Sequence, residues 1–171
     1  MKETSVPHLS SDEKKGCLQK AADSPRRRCP KILHKPGAEF NQIFNFMMND
    51  TYMQPHLHPG DEKIEKMYLV MGSFAVLFFN DKGKVNKVSL MEKGKCEYIE
   101  IPAFTWHTYV MLTSSVVSYE TMMGKYDPET FKILADWAPG ENTPESKSYL
   151  ELLKQYAKGI RFNGRTKWFI D

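Results

Sequence analysis

The chain has little cysteine, no long apolar run and almost no excess charge. Its three cysteines, Cys17, Cys29 and Cys96, are odd in number, widely spaced and form no Cys-x-x-Cys. That excludes a disulfide framework and fits a reducing cytosol. No apolar stretch approaches the ~18–20 residues of a membrane span. The opening residues, MKETSVPHLSSDEKKG, lack the apolar core of a signal peptide, so a cytoplasmic location is expected. With 24 basic against 21 acidic residues, net charge is +3. Such a balance calls for neither a nucleic-acid nor a membrane partner. Internal repeats and low-complexity segments are missing too. What is present is 41% hydrophobic and 26% charged over 171 residues, enough for one packed domain.

Three regions follow from the patterning. Residues 1–39 read as a tail, a helix and a connector. Ser10 can cap a helix and Glu13 can reach back to it, while Ser24-Pro25 ends it. The run Arg26-Arg27-Arg28, Cys29-Pro30 and Lys35-Pro36-Gly37 reads as an extended or turning connector. Residues 40–128 carry strand periodicity. Strands are expected in the 40s and near 66–71, 74–79, 84–90, 96–101, 107–112 and 115–123. Asn80-Asp81-Lys82-Gly83 reads as a hairpin turn. Short strands at this spacing suggest a barrel or sandwich. Residues 129–171 turn helical again. A short helix is expected over 129–136 and a longer one from Thr143-Pro144 to Gly159. The tail after it carries Ile160, Phe162, Trp168, Phe169 and Ile170. Its apolar character and the sheet edges predict a homodimer.

The chemistry concentrates on histidine. His56 and His58 alternate on an extended segment, so their side chains share a face. Glu65 opens the next strand and His107 stands at the start of a later one. Three imidazoles and one carboxylate suit a divalent transition metal such as Mn, Fe, Ni or Zn. On a six-coordinate ion they leave two positions open. Glu62, in the same charged run as Glu65, is a rival for the carboxylate position.

This order resembles the cupin signature. His-x-His, a glutamate and a glycine after six further residues are met by His56, His58, Glu65 and Gly72. The second motif, Pro-x-Gly-x-x-His, is met by Pro102 and His107, with Phe104 in place of the glycine. Met111 replaces its final asparagine, and the loop from His58 to Glu65 is longer than usual. More of the chain resembles the WbuC family of cupin-fold metalloproteins. The segments are KAADSPRRRCPKILH, YMQPHLHP, EKMYLVMGSFAVLFFNDKGKV, WHTYVML and SYETMMGKYDP, within residues 17–128. The resemblance implies a single cupin-type β-barrel, or jelly-roll, with a helix before it and helices after it. It also implies one divalent metal at the barrel mouth, held by His56, His58, Glu65 and His107.

Other assignments are looser. Arg26 and Arg28 match the family's Ser-Pro-Arg-x-Arg segment and would either bind an anionic substrate group or pair with surface acids. Glu120, if it faces inward, is a general base or a partner to a ligand histidine; outward, it is a surface charge. Tyr109 shares the face of His107, where its hydroxyl either donates to substrate or dioxygen or packs in the core. Trp106 is turned the other way. Two functions follow. One is a small-molecule metalloenzyme of isomerase, epimerase or dioxygenase type, with sugar-related substrates implied by the resemblance. The other is a non-catalytic module binding a ligand or metal.

Overall fold

The computed structural model describes residues 5–163, with side chains as far as Gly159. The N-terminal capping box forms: Ser10 accepts from the Glu13 amide, and Glu13 accepts from the Ser10 amide. It starts helix α1 (Ser11–Asp23). The segment after it, expected as a connector, carries strand β1 (Arg28–Ile32), paired with β2 (Phe40–Met48). Pro30 is tolerated because β1 is a sheet edge and needs no amide on its outer side.

The remaining strands are β3 (His56–Leu57), β4 (Glu65–Met71), β5 (Ser73–Phe79), β6 (Val85–Glu92), β7 (Tyr98–Ile101), β8 (His107–Met111), β9 (Ser115–Met123) and β10 (Ile133–Leu134). They form two antiparallel sheets, ordered β1-β2-β9-β4-β7 and β10-β3-β8-β5-β6. Their inner faces share one apolar core, the arrangement of a jelly-roll sandwich. Strand pairing among the described residues does not join the two sheets into a continuous ring.

Alternation explains the layers. In β5 every residue is buried because both faces are covered. Phe74, Val76 and Phe78 point between the sheets, while Ala75, Leu77 and Phe79 point outward. The outward set packs under helix α2 (Pro144–Asn163) through Leu150, Leu153 and Ala157. On the opposite side α1 covers the first sheet, with Ala21 packed among Phe44, Phe46, Val117 and Tyr119. The hairpin after β5 forms as expected, with the Asn80 side chain accepting from the Lys82 and Lys84 amides.

Two expectations in the C-terminal region are corrected. Residues 129–136 are not a helix. One turn around Asp127 leads into β10, whose Ile133 and Leu134 pair with Leu57 and His56. That pairing overrides local preference. The long helix does not stop at Gly159 but continues to Asn163. Gly159 lacks the positive φ that a terminating glycine adopts. The apolar side chains expected to pack from the tail, Ile160 to Ile170, lie outside the described residues. No helix among those described is long and apolar enough to cross a membrane.

Gly72 joins β4 to β5 at φ 82°. A Cβ there would stand 2.4 Å from the Ser115 carbonyl oxygen and 2.6 Å from Thr113 Oγ1. Gly72→Ala therefore meets both left-handed strain, about 1–3 kcal/mol, and a backbone clash. Urea denaturation should show at least that loss, and an unchanged midpoint would refute the account.

Candidate metal centre

Alternation also sets the site. On β4 the inward positions are Glu65, Met67 and Leu69; on β8 they are His107, Tyr109 and Met111. His56 pairs directly with His107 across β3 and β8. His58 follows two residues later on the same face. The outcome is a buried cluster of His56, His58, Glu65 and His107 whose ligand atoms lie within 4.8 Å of one another.

Each ring is oriented by the backbone. His56 Nδ1 is 3.0 Å from the Gln54 carbonyl oxygen, His58 Nδ1 2.9 Å from that of Phe131, and His107 Nδ1 2.8 Å from that of Thr105. A carbonyl only accepts, so each Nδ1 carries a proton, and in the neutral ring each Nε2 keeps a lone pair. Two of those nitrogens face the carboxylate: His107 Nε2 lies 3.1 Å and His58 Nε2 3.3 Å from Glu65 Oε2. Acceptors facing acceptors in a buried site require a cation between them. The residues therefore fit a metal ion, and their donor chemistry suits Mn, Fe, Ni or Zn.

The ionisation of the cluster fits this reading. Burial first, then the neighbouring His107, hold the His56 imidazole well below its usual value, so it stays neutral. Burial opposes a charge on Glu65, yet its contacts with His107 and His58 outweigh it and keep the carboxyl well below its usual value. Burial also opposes a charge on His58, but Glu65 outweighs it and the imidazole is shifted up. Without a metal, a proton on His58 serves as the cation that Glu65 needs.

Glu65 has a second anchor. The buried Tyr109 hydroxyl donates to Glu65 Oε1, and burial with the Glu65 charge pushes that phenol well above its usual value. The hydroxyl is thus committed to the ligand carboxylate. Glu62 stands on an exposed turn outside the cluster, so the carboxylate of the group is Glu65. Phe104, where the cupin motif has glycine, keeps the glycine-like conformation at φ 58°, and its amide donates to the His58 carbonyl oxygen at 2.9 Å. Trp106 points away to the second core, 3.2 Å from Asp81 Oδ1 and edge-on to Trp137.

A cavity of about 220 Å³ opens over the cluster. Glu120 faces into it and accepts from Asn45 Nδ2 at 2.8 Å. Burial, then the Glu65 charge, push the Glu120 carboxyl up to about 8. Arg26 and Arg28 line the same cavity, and both are paired with Glu141, at 3.0 and 2.5 Å. The sequence assigns no role to Glu141 or Lys132. Lys132 had been placed on an expected helix. The signal that could have marked it is a lone cation among apolar Phe131, Ile133 and Leu134.

Comparison with solved structures places the architecture. CapF from Staphylococcus aureus, a capsular polysaccharide assembling protein, aligns with TM-score 0.53 and 18% identity over 61% of this chain and 31% of its own. The DMSP lyase DddQ from Ruegeria pomeroyi aligns with TM-score 0.50 and 17% identity, over 67% of this chain and 54% of its own. The fold is that of a cupin. A protein from Shewanella oneidensis aligns over more of both chains, 81% and 87%, with TM-score 0.52 and 9% identity. The chain thus spans less than a third of CapF and about half of DddQ. One family model, described as a domain of unknown function (DUF6016), matches residues 9–91. A search of curated proteins finds no match.

Partners that orient metal ligands typically matter about 10–100-fold in affinity. Tyr109→Phe should therefore weaken metal binding about 10-fold while leaving the fold intact. Competition with a chelator measures it, and equal affinity would remove Tyr109 from the site.

Proposed function

We propose that this cupin is a metal-dependent enzyme that moves a proton on a small oxygenated molecule, as an isomerase or epimerase does. The observation that carries the reading is the convergence of buried imidazole lone pairs on the Glu65 carboxylate. A divalent ion held by His56, His58, Glu65 and His107 would polarise a substrate oxygen and stabilise charge developing on it.

Glu120 supports the proton-transfer part. Its carboxyl faces the cavity and titrates at about 8, close to the working range of a general acid or base. At neutral pH it holds a proton that it can give to a substrate oxygen. Once ionised it can take one from carbon. Asn45 fixes its orientation from one side. The apolar walls of the cavity, among them Met47, Met53 and Met67, limit water around the reacting atoms.

Elemental mass spectrometry on protein purified without a histidine tag tests the metal. About one equivalent of Mn, Fe, Ni or Zn is expected in the parent and almost none in His56→Ala/His107→Ala. Iron with substrate-dependent oxygen uptake would replace the isomerase reading by a dioxygenase. No metal in the parent, even after adding divalent ions, would leave a binding module.

Glu120 can be tested without a substrate. Its folded value of about 8 exceeds the ordinary 4.5, so the folded protein holds a proton that the unfolded chain sheds. Its contribution to stability is fully present below 4.5 and is lost as pH rises to about 8. Urea unfolding of metal-free protein across that window should show the decline, and Glu120→Gln should flatten it. Parallel curves for the two proteins would refute the assignment.

A further inference from the structure

The wall of the cavity holds a cation, Lys132, that has no hydrogen-bonded or ion-paired acceptor among the described residues. Arg26 and Arg28 share Glu141, and Arg28 also donates to the Tyr52 carbonyl oxygen at 2.9 Å. Lys132 has no equivalent. Among the described residues no hydrogen bond or ion pair reaches its ammonium, although the side chain is partly buried and lines the cavity. It shares the lining of that cavity with His56, His58, Glu120 and the arginine pair.

The position is fixed from both sides. Phe131, the preceding residue, accepts from the ligand His58 through its carbonyl oxygen. Ile133 and Leu134, the following residues, pair with β3, which carries the ligand His56. Lys132 is therefore held by the same backbone that holds two of the metal ligands. A partly desolvated ammonium kept in place without an acceptor is a recognition group for an anion.

The loaded cluster would be a second positive centre in the same space. A volume of about 220 Å³ falls below the roughly 300–1,000 Å³ of pockets for drug-sized ligands. A complementary ligand is short and carries an anionic group at each end. The single ammonium and the methionine-rich wall favour a carboxylate, with one charge to desolvate, over a phosphate. We propose that Lys132 is a ligand-recognition residue and that the ligand is a small dicarboxylic acid, one carboxylate on the Lys132 ammonium and the other end at the His/Glu cluster. Only the second contact rests on the metal reading.

Calorimetric titration of the protein as purified, with its metal content measured, tests this with two probes. Malate and lactate share a 2-hydroxy acid end, and only malate has the second carboxylate. Wild type should bind malate about 10–100-fold more tightly than lactate, the range for one charge-assisted contact. Lys132→Met should abolish the preference and leave lactate binding unchanged. Lys132→Arg, which keeps the charge, should retain most of it. Metal-loaded protein that binds malate no better than lactate, binds neither, or binds malate equally well as Lys132→Met overturns the proposal. Absence of metal with a malate affinity that still depends on Lys132 would instead remove the metal reading and leave Lys132 in its role.

Discussion

Everything in this protein's centre depends on three imidazoles being presented by the same nitrogen. Backbone carbonyls of Gln54, Phe131 and Thr105 each take the Nδ1 proton, so the Nε2 lone pairs must go elsewhere. The site is buried, and the Glu65 carboxylate faces two of them at 3.1 and 3.3 Å. That geometry is repulsive until a positive charge enters. The orienting carbonyls come from three separate stretches of backbone. The site is therefore a property of the whole fold, and no single motif contains it.

The sandwich supplies what the site needs through parity. Strands buried on both faces cannot slip by one residue without exchanging their two sides. For β8 that exchange would send His107 and Tyr109 under α2 and bring Thr108 and Val110 between the sheets. The helices are thus more than covers. By burying the outer faces of β5 and β8, α2 makes both faces of these strands apolar and locks the register that points the ligands inward. On the first sheet α1 does the same for β2, whose Asn45 then faces Glu120 across the register pair Phe44–Tyr119.

The legible part of the sequence was the part governed by local periodicity. HxH on an extended segment, Glu65 at the head of a strand and His107 after Pro102 were enough to pick out the four residues that the fold brings together. The parity argument also turned Trp106 away from His107. What local reading could not supply was pairing between distant segments. Ile133 and Leu134 look helical until β3 offers them partners, and Pro30 looks like a linker until β2 does. Glu141 carries no signal by itself, since its meaning comes from two arginines more than a hundred residues away. The same limit hid Lys132, whose neighbours in sequence are apolar and whose neighbours in space are not.

The arginines show why sequence similarity alone is a weak guide to roles in this cavity. Arg26 and Arg28 sit in a segment that resembles a family motif and they do line the cavity. Yet one carboxylate, Glu141, takes both. Burial opposes a charge on Glu141, but Arg28 outweighs it and holds the carboxyl below its usual value. Arg28 further binds the backbone at Tyr52, just before the HxH segment, and the Tyr52 hydroxyl donates to Pro139. These bonds tie the N-terminal strand, the ligand segment and the start of the C-terminal region into one wall. A guanidinium with that many fixed contacts has few donors left for a ligand. The Lys132 ammonium, with no such contact among the described residues, has three. Within one cavity, the division between wall and recognition group follows from which cations the fold has already satisfied.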